Sequence, residues 1–307
     1  QIPILKLHAT ALRKSGKTQQ ADELAARINT MESTLDKEYA KNAVPFKPEP
    51  PPARKSKSNR AVLVELFTGA QCPPCVSADV AFDALLDSSK PADLVLLQYH
   101  LHIPGPDPLT NKDSEARSTF YGIGGTPALF LDGKEGPALG GYKMHGKERY
   151  ETLVKALTDN LEEMPGAQIQ LAASQTAGKI KVDAKVSDLK KPGDTVRLHL
   201  VLVEEVARWP GSNGQRLHHH VVRAFLGEGG VKGTPLTEAS SNKSASVNLV
   251  DLQKALNEYL DKKNFDADSR PLDLKHLKVV AFVQDEKTKE VMQAAEADLS
   301  ASRSETN

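Results

Sequence analysis

Residues 61–75 read AVLVELFTGAQCPPC, and the last four of them contain both cysteines of this 307-residue chain. The apolar run before the cysteines predicts a buried strand, and the residues after them predict a helix over 76–86. A CxxC pair at a strand-to-helix turn, in a chain that otherwise lacks cysteine, is typical of redox chemistry and not of a disulfide scaffold. Thiol–disulfide chemistry is therefore the first hypothesis for the function.

The spacing assigns a different role to each cysteine. Two intervening residues place both sulfurs at the first turn of a helix, where the partial positive charge favours a thiolate. Cys72 is then the nucleophile that attacks a disulfide, and Cys75 resolves the mixed disulfide. Pro73 and Pro74 have no N–H to offer the thiolate, so we expect a moderately lowered pKa for Cys72 and a reducing or intermediate pair. No dissociable cofactor is expected, because the two sulfurs carry the chemistry.

A second motif, GIGGTPALFLDG, occupies residues 122–133. A proline between a glycine-rich turn and an apolar strand predicts a cis peptide bond between Thr126 and Pro127. A residue before proline favours extended geometry, so Thr126 is placed to offer its backbone to a bound substrate strand. Gly125, Thr126 and Pro127 are therefore the predicted substrate-binding residues.

Together the two motifs resemble the thioredoxin superfamily, and the envelope thiol-disulfide reductases of bacteria in particular. The resemblance covers residues 61–163 and implies a thioredoxin-like α/β sandwich in which a cis proline, here Pro127, faces the cysteines. It also implies a buried acid that relays a proton to the second cysteine, and that acid corresponds to Glu65. The chain departs from the family at Gln71, where a tryptophan is usual, and in a longer loop before Cys72. These departures leave the identity of the protein partner open.

The remaining pattern of residues 61–163 agrees with an α/β domain. We expect a strand–helix–strand unit, followed by a helix, a strand that enters a hairpin, and a last helix. The predicted bounds are 93–99 and 128–132 for the strands and 112–121 and 147–161 for the helices.

The pattern of apolar and polar residues changes in residues 164–300. Alternating apolar and polar residues predict an antiparallel, immunoglobulin-like β-sandwich that is interrupted by one helix at 251–262. The predicted strands are 168–173, 179–186, 195–204, 217–226, 244–249, 277–284 and 290–296. This half resembles an outer-membrane-associated bacterial family in which a thioredoxin-like domain precedes a β-sandwich. The resemblance implies a periplasmic or secreted location in the bacterial envelope.

The N-terminal residues predict a separate helical element. Residues 1–44 form a helical hairpin in this interpretation, with helices at 5–14 and from Thr18 onward, and the hairpin could be the end of a larger helical region. Residues 45–60 contain five prolines and five basic residues, which predict an extended and solvated linker. Residues 301–307 predict a polar tail. The chain as a whole is predicted to be multidomain, with α/β and all-β parts.

The charge balance limits the classes of partner. Forty acidic residues balance forty basic residues, so no net field recruits nucleic acid or an anionic membrane. No apolar run approaches the length of a membrane span. The predicted partners are protein thiols and disulfides, together with a redox partner that recycles the pair and that the sequence does not identify.

Histidines supply the other candidate groups. His100 and His102 follow the second strand, near the strand ends where sites collect in α/β sheets, and are candidate auxiliary residues. His218, His219 and His220 lie in a predicted strand, where half-buried histidines without a ligand are the expectation. No metal site is predicted, because zinc requires four ligands and a second cysteine pair is absent.

Two alternative functions remain open. One is an envelope binding or assembly protein whose thioredoxin-like scaffold carries an idle disulfide. The other is a metal-delivery protein, with copper as the candidate metal, that uses the cysteines and a nearby histidine such as His100.

Overall fold

The computed structural model describes residues 1–301, without the side chains of Asp268 and Ala301. The predicted polar tail lies outside the described residues from Ser302 onward. The chain divides into two compact units, Gln1–Pro45 and Phe46–Asn307. Within the described residues, no helix combines the length and the apolar character that crossing a membrane requires.

The first unit is a helical hairpin. Its helices are α1 (Ile2–Lys14) and α2 (Thr18–Ala40), and α1 begins earlier than predicted. Gly16 between them has φ +76°, a left-handed conformation that glycine adopts without a steric penalty. An ion pair of 2.8 Å between Lys6 Nζ and Glu32 Oε1 joins the two helices.

The second unit contains the strands and the remaining helices. The strands are β1 (Val62–Thr68), β2 (Leu94–His100), β3 (Ala128–Leu131), β4 (Lys134–Glu135), β5 (Gln168–Thr176), β6 (Lys179–Ser187), β7 (Gly193–Arg208), β8 (Leu217–Leu226), β9 (Thr234–Leu236), β10 (Ser241–Asn248), β11 (Leu277–Asp285) and β12 (Val291–Ala301). The helices are α3 (Val76–Ser88), α4 (Lys112–Tyr121), α5 (Gly146–Glu162) and α6 (Leu249–Lys262).

Hydrogen bonds connect all of these strands into one sheet. Its order is β10-β6-β5-β12-β11-β7-β8-β2-β1-β3-β4, with β9 attached to β7. The fold is therefore mixed α/β, with a large sheet and helices. The sequence predicted separate domains at 61–163 and 164–300, but strands of both segments meet where Gln98 of β2 pairs in parallel with Val221 of β8.

A shared apolar core also joins the two segments. Every residue of β1 is buried, so this strand packs on both of its faces, as its nearly continuous apolar sequence indicates. Leu63 and Phe67 of β1 belong to the same core cluster as Val201, Phe225 and Phe282 from the second segment. The periodicity of the sequence shows which faces are apolar, but it does not show that these two faces pack on each other.

The second segment differs from its prediction in two places. The short strand β9 was not predicted, and β12 pairs with β5 in parallel, so the expectation of a wholly antiparallel arrangement is wrong at that pair. Helix α6 begins earlier than predicted because the Asn248 side chain caps it, accepting hydrogen bonds from the amides of Val250 and Asp251. Leu252, Leu256 and Leu260 of α6 pack into the core of this segment.

The prediction that residues 45–60 form a solvated linker is wrong for two of its arginines. Arg60 is buried and pairs with Asp132 Oδ2 at 2.9 Å and with Glu163 Oε2 at 2.5 Å. Arg54 pairs with Asp93 at 2.8 Å. The acidic partners are distant along the chain, so a run rich in proline and basic residues gave no sign that these arginines would be paired.

Candidate functional site

The cysteines lie directly after β1, in the connection to α3. Cys72 and Cys75 are joined by a disulfide bond, with a Cα–Cα distance of 5.3 Å. Residues Pro73–Cys75 form a 3₁₀ turn, and Cys75 is the N-cap of α3. The exposed fraction is 1% for Cys72 and 0% for Cys75, whereas Pro73 and Pro74 are exposed. The disulfide is therefore buried, whereas the two prolines between its cysteines are exposed.

The second motif packs against the first. The Thr126–Pro127 peptide bond is cis, as predicted. Thr126 Oγ1 donates a hydrogen bond of 3.3 Å to Cys72 Sγ. Gly125 is exposed beside it. The structure thus brings the predicted substrate-binding residues to the predicted nucleophile.

Backbone amides of the turn are engaged elsewhere. The Cys75 amide donates to the Cys72 carbonyl at 3.2 Å. The Val76 amide donates to the carbonyl of Pro73. Two atoms of Thr126 lie near the sulfur of Cys72, the hydroxyl oxygen at 3.3 Å and the carbonyl oxygen at 3.6 Å.

A buried carboxyl lies one turn further along α3. Asp79 follows Cys75 by four residues, is 3% exposed, and accepts a hydrogen bond of 3.3 Å from Gln98 Nε2. The pKa of Asp79 is raised to about 8, chiefly by burial; a hydrogen bond with Thr68 lowers it, the charges of Asp83 and Asp107 raise it, and a hydrogen bond with Gln215 lowers it. Asp79 was not predicted, although an acid in the first turn of the helix that follows the cysteines was a usable signal.

His100 links Asp107 to this buried group. His100 Nδ1 lies 2.7 Å from Asp107 Oδ2, and its Nε2 lies 3.2 Å from Gln98 Oε1. Asp107 also accepts hydrogen bonds from the amides of Ala70 (2.6 Å) and Leu109 (2.8 Å). Burial alone would raise the pKa of Asp107, but His100 and these amides hold it below its usual value. Both ring nitrogens of His100 are thus used within the protein.

His102 is held away from the cysteines. Its Nε2 lies 2.9 Å from the hydroxyl of Tyr259 on α6, and its Nδ1 accepts a hydrogen bond of 3.0 Å from the Asp107 amide. Burial lowers the pKa of His102, and the charge of Lys263 adds to this. These contacts assign His102 to the attachment of α6.

Glu65 lies in a different buried cluster. Arg117 donates to both of its carboxylate oxygens, at 2.9 Å and 3.0 Å. The hydroxyl of Tyr99 donates to Oε1 at 2.9 Å, and the hydroxyl of Tyr121 donates to Oε2 at 2.5 Å. Burial opposes the charge of Arg117, but Glu65 raises its pKa well above the usual value. The hydrogen bonds from Arg117 and the tyrosines satisfy the carboxylate without the cysteines, so Glu65 lies in a buried ion pair with Arg117.

The three consecutive histidines have separate partners. His218 Nε2 lies 2.9 Å from the Trp209 carbonyl, His219 Nδ1 lies 2.8 Å from Asp83 Oδ1, and His220 Nδ1 lies 3.1 Å from the Leu96 carbonyl. Burial lowers the pKa of His218 to about 3. Within residues 1–301, no group of three or more His, Cys, Asp or Glu side chains is arranged to hold a metal ion.

Comparisons with known proteins bear on the fold. Family models and curated proteins give no match. Among solved structures, HBP35 of Porphyromonas gingivalis is similar, with a TM-score of 0.55 and 16% sequence identity over 82% of this chain and 80% of that chain. At this identity the likeness shows the fold alone.

Proposed function

We propose that the protein is a thiol–disulfide oxidoreductase that exchanges disulfides with envelope protein substrates through Cys72 and Cys75. The observation that carries this proposal is the contact of 3.3 Å between Thr126 Oγ1 and Cys72 Sγ. It joins two motifs that are far apart in the sequence, one of which can exchange disulfides and the other of which can present its backbone to a substrate strand.

The strand pairing supports a thioredoxin-like interpretation of residues 61–163. β1 pairs in parallel with β2 and antiparallel with β3, and β3 continues into β4. In the second segment, Ile180 of β6 and Leu198 of β7 share one core, which supports an immunoglobulin-like sandwich. A periplasmic or secreted location rests on the sequence resemblance and is part of the proposal.

The reaction follows from the two sulfurs. In the reducing direction, the Cys72 thiolate attacks one sulfur of a substrate disulfide, the substrate S–S bond breaks, and the leaving sulfur takes a proton. The Cys75 thiolate then attacks Cys72 Sγ, which releases the second substrate thiol and forms the Cys72–Cys75 disulfide. Two electrons pass to the substrate, and a dithiol reductant restores the pair. The recycling partner is therefore expected to be a dithiol protein.

The reduction potential of the Cys72–Cys75 pair tests the proposal. It is measured by thiol labelling across a series of glutathione redox buffers. We expect a midpoint between about −270 and −120 mV, the span of working oxidoreductases, and closer to the reducing end. A midpoint well below about −300 mV, as in structural disulfides, would refute the proposal.

One observation favours a second candidate function, a binding or assembly protein with an idle disulfide. Cys72 is only 1% exposed, so a substrate must displace neighbouring atoms before it reaches the sulfur. Cys72→Ser separates the two functions. Loss of disulfide exchange with retained partner binding supports the enzyme, and partner binding by a wild-type protein without measurable exchange supports the binding protein.

A further inference from the structure

The loop between β7 and β8 lies against the backbone that carries the cysteines. We call residues 209–216 the hairpin loop and residues 69–72 the cysteine loop. Asn213 Nδ2 donates hydrogen bonds to the carbonyl oxygens of Gly69 (3.2 Å) and Cys72 (3.4 Å). The Asn213 amide donates to the Ala70 carbonyl at 3.3 Å. A single residue of the second segment therefore holds most of the carbonyl groups of the cysteine loop.

A glycine and hydrogen bonds within the hairpin loop permit this close approach. A Cβ atom on Gly211 would lie 2.3 Å from the Ala70 carbonyl oxygen, so only glycine permits the close contact. The Gln215 amide donates to Asn213 Oδ1 at 3.0 Å, and the Gly211 amide donates to the Gln215 carbonyl at 2.7 Å. These bonds fix the orientation in which the Asn213 side chain presents its N–H groups.

The other side of the cysteine loop is also held. Asp107 Oδ2 accepts from the Ala70 amide at 2.6 Å, and a Cβ atom on Gly69 would lie 2.5 Å from the Ile103 carbonyl oxygen. The cysteine loop thus lies between the hairpin loop and the segment that follows β2. The buried Gln215 of the hairpin loop also hydrogen-bonds the Asp79 carboxyl.

We infer that Gly211 and Asn213 bring the hairpin loop against the redox site and that Asn213 is a positioning residue for Cys72. The inference deepens the proposed function and rests on it. In the oxidised protein the S–S bond itself holds the sulfurs together, whereas in the dithiol their separation depends on the contacts of the cysteine loop. A firmly held loop keeps the two thiols at a high effective concentration and so favours the disulfide. The second segment thereby contributes to the redox balance of cysteines that it does not contain.

The test is the equilibrium constant for the reaction in which oxidised glutathione converts the Cys72 and Cys75 thiols of the full chain to the disulfide. We expect Asn213→Ala to lower this constant about fivefold, because one hydrogen-bonding side chain is lost from the dithiol's support. Ser212→Ala is the matched control, since Ser212 is an exposed residue of the same loop, and we expect it to leave the constant unchanged. A purely structural role for Asn213 would lower the thermal stability of the oxidised and reduced forms equally and leave the constant as in the control.

Gly211→Ala is a second, independent variant. Its Cβ would push the hairpin loop away from Ala70, so the constant should fall in the same direction even if Asn213→Ala does not fold. If the wild-type pair exchanges with glutathione and both variants have the same equilibrium constant as Ser212→Ala, this inference alone is overturned. A wild-type pair that does not exchange at all would overturn the proposed function and this inference with it.

Discussion

Asp79 lies one helical turn after Cys75 on α3, and both side chains are buried. A spacing of four residues places two side chains on the same face of a helix, about 6 Å apart at Cβ. The Asp79 carboxyl contacts the neutral amide of Gln98, and its charged neighbours Asp83 and Asp107 repel a second negative charge. At neutral pH this raised pKa favours the protonated form of Asp79, one helical turn after the second cysteine.

The buried Asp79 should make the free energy of unfolding depend on pH. Burial raises the pKa of Asp79 from 3.8 to about 8 in the folded state. Between these pH values the folded state keeps a proton that the unfolded state has lost, so the free energy of unfolding falls as pH rises, by up to about 1.4 kcal/mol per pH unit. Asp79→Asn removes this loss. The stability of the variant relative to wild type should therefore increase from pH 4 to pH 8 and then level off.

Urea unfolding of the oxidised proteins across this pH range measures the difference in the free energy of unfolding between Asp79→Asn and wild type. Asp159→Asn, at an exposed position of α5, is the control. The ion pair of His219 with Asp83 adds its own pH dependence, which is coupled to the charge of Asp79. A difference for Asp79→Asn that stays constant with pH would contradict a neutral Asp79.

Asp79 should also affect the rate at which the disulfide is opened. When an external thiolate attacks Cys72, Cys75 leaves as a buried thiolate, and the protonated Asp79 can give it a proton. The rate per attacking thiolate should fall as pH rises through about 8, where Asp79 loses that proton. Asp79→Asn should be about tenfold slower or more below this pH and should not show the step.

Stopped-flow reduction by a small dithiol, followed by thiol labelling, measures these rates. The other titratable groups near Asp79 are His100, His218, His219, Asp83 and Asp107, and they are unchanged in the variant. Identical pH profiles for wild type and Asp79→Asn would show that the carboxyl does not take part.

The two cysteines should have different phenotypes. Cys72→Ser should abolish disulfide exchange, because the attacking sulfur is lost. Cys75→Ser should still attack a substrate disulfide but should not resolve it, so a mixed disulfide between Cys72 and the substrate accumulates. Mass spectrometry of the trapped adduct checks this. An adduct that forms through Cys75 in Cys72→Ser, and none in Cys75→Ser, would reverse the assigned roles.

Glu65→Gln distinguishes an ion pair from a proton acceptor. The substitution leaves the charge of Arg117 buried without its partner, which should cost about 3–5 kcal/mol of stability. The exposed pair of Lys147 and Glu151 is the control, and Glu151→Gln should cost about 0.5 kcal/mol or less. Disulfide exchange per folded Glu65→Gln molecule should equal that of wild type. A large loss of exchange with little loss of stability would restore the proton-relay role.

Local patterns predicted the elements of the fold better than their arrangement. The helix at Lys112–Tyr121 has the predicted bounds, because its Asn111 N-cap and Gly122 C-cap are local signals. The joining of β2 to β8 was not predicted, because Gln98 and Val221 are distant along the chain and neither strand has an edge signal. Periodicity identifies apolar faces without identifying the faces against which they pack.

The same limit applies to the site. Cys72 and Thr126 could be predicted because each lies in a short motif with its own turn chemistry. Asn213 could not, because the role inferred for it rests on contacts with Gly69 and Cys72, which lie far from it in sequence. The proton-relay role of Glu65 is implied by the resemblance to the thioredoxin superfamily, and the sequence gives no sign that Arg117 pairs with its carboxylate.

The hydroxyl of Thr126 should control the acidity of Cys72. It donates to Cys72 Sγ at 3.3 Å, whereas Pro73 and Pro74 lack N–H groups and the Cys75 amide donates to the Cys72 carbonyl. A hydrogen bond to a thiolate lowers the pKa of the thiol, so Thr126→Val should raise the pKa of Cys72 by about one unit. Thr126→Ser keeps the hydroxyl and should restore the wild-type value.

Thiolate absorbance of the reduced protein, titrated with pH, measures this pKa. A higher pKa means that the thiolate, and with it the reduced form, is less stable. The disulfide of Thr126→Val should therefore also be harder to reduce by glutathione. Equal pKa values in wild type, Thr126→Val and Thr126→Ser would show that the hydroxyl does not act on the thiolate. The contact between the two motifs would then lose its chemical role, and the geometry at Cys72 would favour the binding protein.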